Sequence, residues 1–425
     1  MSTSIKQQAR WCIRAAILGA AVVVFTACDG LTDVAGDPHR VDASQPLGLE
    51  EALIGATVDL YWAYDSFIAI AGMLGDEFVS SGTASGYREW DARNVTPRST
   101  GGSANRDRGI GGEGSWTPQQ KAVFAANLVQ ERIEAGDFDG VDVESAEYAR
   151  ASVFEGLAKT WIADMFCTAA FNGEGPEYSA QEVYGLAEAE FTKALDAANA
   201  EPAIRQAALV ARARVRLNQG DHAGALADAT QVDPDFELLA EYSTNTFEQR
   251  NRLWWRTWGF GNWSIDFRVW AGLELDDTGE PDPRVQLALN PRPAYEPNQD
   301  LWAPYMVENP AAPLVLAGGD EARMIVAEIV LGQEAVDIIN EVRARHGITT
   351  AWSPATLDDA TVLAKVIDER GRNLFLDGVR NGDLRRYLDQ YGIDLWTEVT
   401  PQGVQADDAL CFPLPDVERE NNPGI

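Results

Sequence analysis

The sequence predicts a mainly α protein, a helical-repeat scaffold of tetratricopeptide-like type that carries a loop-rich, Trp-rich insertion. Apolar residues recur at helical spacing over long stretches, and Gly or Asp residues separate successive periodic segments. Residues 236–318 are instead rich in Pro and Trp and poorly periodic. With 425 residues, 45% of them hydrophobic, the chain is long enough and apolar enough to bury a large core.

The N-terminus has the composition of a signal peptide. Positive charges at Lys6, Arg10 and Arg14 precede an apolar run, residues 15–27, that is shorter than the roughly 20 residues of a bilayer-spanning helix. The run ends at Cys28, and Phe25-Thr26-Ala27-Cys28 predicts a lipobox in which Cys28 is lipidated and becomes the first mature residue. The alternative is ordinary cleavage, with Cys28 incidental.

Residues 28–48 follow the signal peptide, residues 1–27. They are rich in Gly, Pro, Asp and Ser, with few apolar residues and no period. This composition predicts a flexible, lipidated tether.

Helical periodicity organises the next part of the chain. Residues 49–80 predict one or two helices, residues 117–168 two strong helices, and residues 180–199 and 203–231 a further pair. Residues 81–115 between them are rich in Gly and Ser and predict a long loop.

The segment 203–231 resembles a tetratricopeptide repeat, because small Ala residues permit close helix packing and Gly220 ends the first helix before the second begins. A related unit lies near residues 321–346. We therefore expect an N-terminal helical-repeat part at 49–235, an irregular, substrate-facing insertion at 236–318 and a C-terminal part at 319–425.

Charge limits the classes of partner. The formal net charge is −32. A field of this sign repels nucleic-acid phosphates and anionic lipids, so nucleic-acid binding is excluded, and neutral solutes, cations or a basic protein surface are favoured.

Two cysteines remain after the signal peptide and Cys28, namely Cys167 and Cys411. An oxidising compartment would allow them to pair. Two buried free thiols in apolar surroundings are an equal alternative, since the sequence does not give the distance between the two Cα atoms.

Three ordered motifs near the C-terminus resemble the SusD/RagB family of outer-membrane nutrient-binding lipoproteins. The first motif is Ile339-Asn340, Val342-Arg343, Arg345 and Gly347. The second comprises Glu369, Arg370, Arg372, Leu374, Gly378, Arg380, Asp383, Leu384, Arg385 and Arg386, with Asn373 and Asp377 in place of two family glutamates. The third comprises Pro413, Pro415, Glu418, Asn422 and Pro423.

The resemblance implies a SusD-type scaffold held in the cell outer membrane by its lipid, with no cofactor. It implies that the protein binds an oligosaccharide and delivers it to a SusC-like TonB-dependent transporter, with the repeats facing the transporter and the insertion facing substrate. A peptide is the alternative cargo, because the family includes both kinds of member. Which face of the outer membrane is occupied stays open.

The arginines of the second motif stand at helical spacing among acidic residues, so we expect ion pairs that hold helices together. The alternative is an anion site for a charged substrate, although no phosphate-cradling Gly loop accompanies these arginines.

Aromatic residues mark the candidate ligand site. Pyranose rings stack on aromatic faces while polar neighbours bind their hydroxyl groups. We expect contacts from Trp254, Trp255, Trp258, Trp263 and Trp270 of the insertion. The alternative is that these rings form its core.

Tyr87 and Trp90, with Asp91 and Asn94 nearby, lie in the predicted loop. Rings in a loop are harder to bury, so we expect these two to be the best individual ligand contacts.

No catalytic constellation is evident. His39, His222 and His346 lack metal-ligand spacing, and no nucleophile or zinc motif occurs. We therefore predict a binding protein, not an enzyme, with no catalytic or metal-binding residues. A glycoside hydrolase is the enzymatic alternative, because 66 Asp and Glu residues permit carboxylate pairs. A repeat scaffold that binds only protein is the third.

Overall fold

The computed structural model describes residues 47–82, 85–98, 116–173, 175–247, 249–276, 278–292, 300–396 and 405–425. Most of these residues are in helices. The chain divides into Met1–Gly48 and Leu49–Ile425. Cys28 and His39 lie outside the described residues, so the predicted anchor and tether remain predictions.

The α-helices are, in chain order, α1 Leu49–Leu74, α2 Ser85–Asp91, α3 Thr117–Glu134, α4 Ala146–Met165, α5 Ala180–Asp196, α6 Pro202–Gln219, α7 His222–Ala229, α8 Arg252–Trp254, α9 Phe267–Trp270, α10 Gly319–Val330, α11 Gly332–Arg345, α12 Asp359–Asn373, α13 Arg380–Arg386 and α14 Asp416–Asn421. The strands are β1 Phe78–Ser80, β2 Thr168–Ala169, β3 Tyr178–Ser179, β4 Glu237–Ala240, β5 Trp263–Ile265, β6 Leu287–Leu289, β7 Trp302–Pro304 and β8 Leu314–Gly318. Two π-helical turns, Trp255–Gly259 and Tyr387–Tyr391, and a 3-10 turn, Tyr305–Val307, complete the assignment.

Local side-chain chemistry sets the helix boundaries. The hydroxyl of Ser179 accepts a hydrogen bond from the Glu182 amide while the Glu182 carboxylate accepts one from the Ser179 amide, which is a complete capping box at the start of α5. Gly220 ends α6 with a φ of 82°, a left-handed conformation that suits glycine. Asp221 then accepts a hydrogen bond from Gly224 at 3.0 Å, so α7 begins directly after α6 ends.

Helices α3 to α7 pack each on the next along the chain. Their interfaces are rich in small side chains, such as Ala151 and Ala187, which let helix backbones approach closely. This arrangement agrees with the predicted tetratricopeptide-like repeats, and α10 continues it by packing on both α6 and α7.

The insertion is connected to the helical scaffold by short antiparallel ladders. Strand β4 pairs with β8, so the two ends of the insertion meet, and β6 pairs with β7. Strand β1, from the N-terminal part, pairs with β5 in the register Phe78 to Ile265 and Ser80 to Trp263. The insertion therefore contributes to the core of the scaffold.

Aromatic packing joins α1 to α4 at the centre of the core. The Trp161 ring is fully buried, with its centroid 4.8 Å from that of Tyr64 and 5.7 Å from that of Phe67. Large aromatic groups at such a junction contribute much of the apolar area that folding removes from water.

Four arginines of the second motif, Arg370, Arg372, Arg380 and Arg386, form ion pairs with little-exposed carboxylates, as predicted. Arg386 binds Glu328 of α10 at 2.9 Å and Asp383 at 2.7 Å, so α13 is held against α10. Arg385 donates to the Ala163 carbonyl at the end of α4 at 2.7 Å. Several partners lie far away in sequence, including Asp76, which binds Arg380.

The last described segment is held against the end of α4. The structure joins Cys167 to Cys411 in a disulfide, with a Cα separation of 5.2 Å. Beside it, the Cys167 amide donates to the Phe412 carbonyl at 2.9 Å and the Phe412 amide donates to the Met165 carbonyl at 2.8 Å. Covalent and hydrogen bonds therefore fix the chain end at the same point.

The prediction of one or two helices over residues 49–80 agrees with the structure, which has one helix, α1, followed by strand β1. The prediction for the next segment needs correction. The predicted loop 81–115 contains the short helix α2, while residues 99–115 lie outside the described part. Seven residues provide too few helical periods for sequence periodicity to detect.

Candidate ligand-binding groove

A groove of about 710 Å³ runs between α1 and residues 241–246 and 249, which follow strand β4. This volume falls within the range typical of small-molecule sites, about 300–1,000 Å³. The groove is lined by Thr57, Val58, Tyr61, Trp62, Asp65, Glu241, Tyr242, Ser243, Asn245, Thr246 and Gln249, and we call it the Trp62 groove. The α1 residues recur at spacings of three, four and five, which places them on one face of the helix.

Two tyrosines form a braced part of the groove wall. The Tyr61 hydroxyl donates to the Leu239 carbonyl and the Tyr242 hydroxyl donates to the Tyr61 carbonyl, both at 3.2 Å. Their ring centroids lie 6.3 Å apart. Burial raises the pKa of both hydroxyls above the usual value, so both are neutral phenols at physiological pH. These contacts order the aromatic surface before any ligand arrives.

Trp62 is fixed from the protein interior. The Arg252 guanidinium carbon lies 4.4 Å from the Trp62 ring centroid, in a cation-π contact. The Arg252 amide donates to the Asp65 carboxylate at 3.0 Å, which ties α8 to the same face of α1. Trp62 is 8% exposed, so it offers an edge to the groove while the rest of the ring is packed.

Hydrogen-bonding side chains supply the opposite wall. The Ser243 hydroxyl donates to the Gln249 side-chain oxygen at 2.7 Å, and the Ser243 amide donates to the Gln249 carbonyl at 2.8 Å. Asn245 and Thr246 lie between them and are exposed. Amide and hydroxyl groups next to aromatic rings are the combination that binds the two faces and the hydroxyl rim of a sugar.

A second aromatic group adjoins the groove, and we call it the Trp255 cluster. The Trp255 ring centroid lies 4.9 Å from that of Phe247, 5.6 Å from that of Phe260 and 6.1 Å from that of Trp254. Phe260 is 38% exposed. Arg252 connects the cluster to the groove, because its guanidinium also lies 5.6 Å from the Phe247 ring centroid.

Three of the predicted insertion aromatics, Trp254, Trp255 and Trp258, are half-buried. Trp254 and Trp255 lie in the Trp255 cluster. Trp258 lies apart from them, with its ring 5.9 Å from that of the exposed Tyr305, and its indole N–H donates to the Pro304 carbonyl at 2.9 Å. Nothing in these positions prevents ligand contact, and their role remains a proposal.

Trp90, Trp263 and Trp270 are corrections, since their side chains are 1%, 0% and 3% exposed. Trp90 and Trp263 both pack against Tyr87, at 5.2 and 5.7 Å between ring centroids. The Trp270 indole N–H donates to the Asp76 carbonyl at 2.6 Å. Trp90 lies in α2, Trp263 in the β1–β5 ladder and Trp270 in α9, and all three rings point inward, so they form core and do not line a site.

The neighbours of Trp90 have mixed positions. Asp91 is buried and accepts a hydrogen bond from the Ser80 amide at 3.3 Å, and burial raises its pKa to about 7. Tyr87 is partly buried against the core, whereas Asn94 is exposed. The expectation of a loop is therefore wrong for both Tyr87 and Trp90, which lie in α2, and the expectation of exposure is wrong for Trp90. Tyr87 is only partly buried, so its ligand contact remains a proposal.

Sequence reasoning missed Tyr61, Trp62 and Tyr242 as site residues. The available signal was the combination of adjacent aromatics at Tyr61 and Trp62 with the polar stretch 243–246, Ser-Thr-Asn-Thr, after Tyr242. Only the fold brings those two segments together.

A smaller cavity, about 260 Å³, lies beside the buried pair formed by Arg214 and Glu321, whose nearest atoms are 2.6 Å apart. Its lining includes Arg284, Arg345 and Arg372, each of which already binds a carboxylate. Ion pairs therefore occupy the arginines of this cavity, whereas the Trp62 groove combines aromatic rings with hydroxyl and amide side chains.

The histidines that the structure describes form individual contacts. His222 Nε2 lies 3.2 Å from the Gln390 side-chain oxygen, and His346 Nε2 lies 2.7 Å from the Asp320 carboxylate. Within the described ranges, no group of three or more His, Cys, Asp or Glu residues is arranged to hold a metal ion. Within the same ranges, no helix combines the length and apolar character needed to cross a membrane.

The comparisons with known proteins agree on the fold. Residues 321–423 match the sequence profile described as the SusD family. No curated protein matches this chain in sequence. The predicted mainly helical, SusD-type fold class is confirmed by solved structures that align along most of the chain.

Three of those structures illustrate the similarity. Surface glycan-binding protein A from Bacteroides uniformis is 16% identical with a TM-score of 0.65, and the match covers 89% of this chain and 98% of that one. A SusD homolog from Bacteroides thetaiotaomicron is 14% identical with a TM-score of 0.66, covering 92% and 99%. A SusD superfamily protein from Bacteroides vulgatus is 17% identical with a TM-score of 0.64, covering 88% and 98%.

Proposed function

We propose that this chain, which belongs to the SusD/RagB family by its segment 321–423 and by its fold, captures a glycan in the Trp62 groove without transforming it. The observation that carries the proposal is the junction of braced aromatic rings with uncharged hydrogen-bonding side chains in one open groove. Two structurally similar proteins support it, since one is named a surface glycan-binding protein and another a SusD-like carbohydrate binding protein.

Binding without turnover is the expected chemistry. The groove contains two carboxylates, Asp65 and Glu241, of which Asp65 accepts the Arg252 amide and contributes to the joint between α1 and α8. A glycosidase needs one carboxyl group that donates a proton and a second that acts as base or nucleophile across the scissile bond. A structural role for Asp65 leaves Glu241 without a partner for that chemistry.

The binding test uses the full chain carrying Cys28→Ser, titrated calorimetrically with neutral oligosaccharides of several backbones. We expect saturable heat with no released product. Tyr242→Ala should weaken binding about tenfold or more, because it removes a stacking surface and the brace on Tyr61. Tyr305→Ala is the matched control, since Tyr305 is an exposed tyrosine outside the groove.

The outcomes separate the competing functions. Release of shortened sugar products in the calorimeter cell would show that the protein hydrolyses the glycan, which contradicts capture without turnover. Saturable binding of peptides from an array, without glycan binding, would favour the peptide-binding alternative. Binding that is unaffected by Tyr242→Ala would move the site away from the Trp62 groove.

We also propose that the mature protein is held in the outer membrane by a lipid on Cys28 and passes its ligand to a TonB-dependent transporter. The apolar run, Cys28 and the polar residues after it support the anchor. The N-terminal peptide should carry a lipid-sized mass increment, and Cys28→Ser should release the protein from membranes. Copurification of a TonB-dependent transporter with the protein from native membranes tests the proposed partner. If no such transporter copurified, the proposed transfer of ligand to it would be contradicted.

A further inference from the structure

The charge of the Trp62 groove has one sign. Among the described residues that line it, Asp65 and Glu241 carry carboxylates and none is lysine or arginine. The remaining polar residues are hydroxyl or amide side chains, which bind neutral groups. Glu241 is exposed and lines the groove together with Tyr61 and Tyr242, the aromatic surface that a sugar ring would contact.

Both carboxylates raise the pKa of a tyrosine that lines the groove. After burial, the charge of Glu241 is the next largest influence that raises the pKa of Tyr61. For Tyr242, the charge of Asp65 is likewise the next largest influence, after burial, that raises the pKa. The negative potential therefore extends to both tyrosines and is not restricted to the outer edge of the loop.

The nearest basic groups offset this potential only in part. Arg252 lies behind Trp62 with 1% exposure, so a ligand in the groove cannot pair with it directly. Arg150 lowers the pKa of Tyr61, but its influence is smaller than that of Glu241. Arg250 lies 5.9 Å from the Phe247 and Trp254 ring centroids, at the Trp255 cluster. The protein as a whole adds a net charge of −32.

We infer that the Trp62 groove selects its glycan by charge, accepting neutral or amino-bearing oligosaccharides and rejecting those that carry carboxylate or sulfate groups. The inference rests on the proposed function and names the substrate class of the same groove. A ligand anion held near Glu241 has no arginine or lysine to receive it, and it must lose hydration without compensation. An ammonium group at the same place has a carboxylate partner.

Coulomb's law sets the scale of the selection. Two like charges about 4 Å apart in water repel enough to weaken binding about fivefold, and the factor grows as the effective dielectric falls in a partly enclosed groove. Because Glu241 is exposed, salt screens much of its contribution. Discrimination should therefore be largest at low ionic strength.

The experiment compares ligands that differ in charge but share a backbone. The full chain carrying Cys28→Ser is titrated with oligogalacturonate and with its methyl ester, and with glucosamine and N-acetylglucosamine oligomers. We expect the methyl ester to bind at least about fivefold more tightly than the acid at low salt, and the gap to narrow in about 0.5 M NaCl. The glucosamine oligomer should lose affinity with salt, whereas its N-acetylated counterpart should not.

Two substitutions connect the selection to the groove. Glu241→Gln should reduce the ester-to-acid affinity ratio several-fold, because it removes one carboxylate and keeps the side-chain shape. Glu334→Gln removes the same charge from α11, which does not line the groove, and should leave the ratio unchanged. Equal or tighter binding of the acid would overturn the inference while glycan capture stands. Absence of binding by all four ligands and by every neutral oligosaccharide of the first titration would overturn both.

Discussion

Arg370 of α12 and Asp383 of α13 form an ion pair inside the protein, with Nε 2.7 Å from Oδ2 and the Arg370 side chain fully buried. Asp383 also binds Arg386, which binds Glu328 of α10. Burial would raise the pKa of Asp383, but the two guanidinium groups outweigh it and the pKa lies below the usual value. Two carboxylates, Asp383 and Glu328, therefore neutralise Arg370 and Arg386 at the junction of three helices.

Asp383→Asn should destabilise the protein by about 3–5 kcal/mol, because it leaves the buried Arg370 guanidinium without its nearest counter-charge, although Arg386 keeps Glu328. Urea denaturation at pH 7 measures the change in the free energy of unfolding. Glu201→Gln is the control, since the Glu201 to Arg150 pair is exposed, and its loss should cost less than about 1 kcal/mol. Similar losses for both variants would contradict a special role for the buried network.

Loss of the Cys167–Cys411 disulfide should lower stability by about 2–4 kcal/mol. The bond closes a loop of 244 residues, so its removal gives the unfolded chain much more conformational freedom. Thermal unfolding with and without dithiothreitol measures the effect. In the Cys167→Ala, Cys411→Ala double variant, dithiothreitol should not change the melting temperature. If dithiothreitol also left the melting temperature of the parent protein unchanged, the disulfide would not contribute to stability.

Glu77 should make stability decrease as pH rises. Burial raises its pKa to about 8, and its carboxylate accepts the Leu376 amide at 2.9 Å. An acid with a raised pKa in the folded state binds more protons there than in the unfolded chain, so its contribution is lost between about pH 4.5 and pH 8. Each unit of pKa is equivalent to about 1.4 kcal/mol, which sets an upper limit of about 5 kcal/mol.

Glu77→Gln isolates this contribution, because the amide oxygen still accepts the Leu376 hydrogen bond. Unfolding free energies of the parent and the variant are compared at pH 5 and pH 9. The variant should gain stability relative to the parent as pH rises. A difference that is the same at both pH values would show that Glu77 does not titrate in this range.

Trp263→Ala should mainly lower stability, whereas Trp255→Ala should mainly weaken binding. Trp263 is fully buried in the β1–β5 ladder, so its truncation should cost about 3–5 kcal/mol. Trp255 is half-buried among aromatic side chains, and its loss should cost about 1 kcal/mol while weakening glycan binding. Chemical denaturation combined with calorimetry separates the two effects, and a stable Trp263→Ala protein would contradict the assignment of this ring to the core.

Sequence reasoning worked where the signal was local. Helical periodicity located α3 to α7 to within a few residues, and Gly220 with Asp221 identified the turn between α6 and α7. It failed for Trp90, because one apolar ring in a Gly-rich stretch has the same appearance whether it faces solvent or the core. The burial of Trp90 depends on Phe412, more than 300 residues away, whose ring lies 6.4 Å from it.

The sequence by itself determined the helical scaffold, the SusD-type C-terminal motifs and the acidic charge, because these depend on spacing and composition. The tertiary structure alone decided which aromatics face a groove, since Tyr61 and Tyr242 are 181 residues apart and meet only where β4 returns to α1. It also decided the partners of the arginines: Arg380 binds Asp76 and Arg214 binds Glu321 across distances in sequence that no periodicity encodes. Long-range pairing is a property of packing, and packing assembles the candidate site.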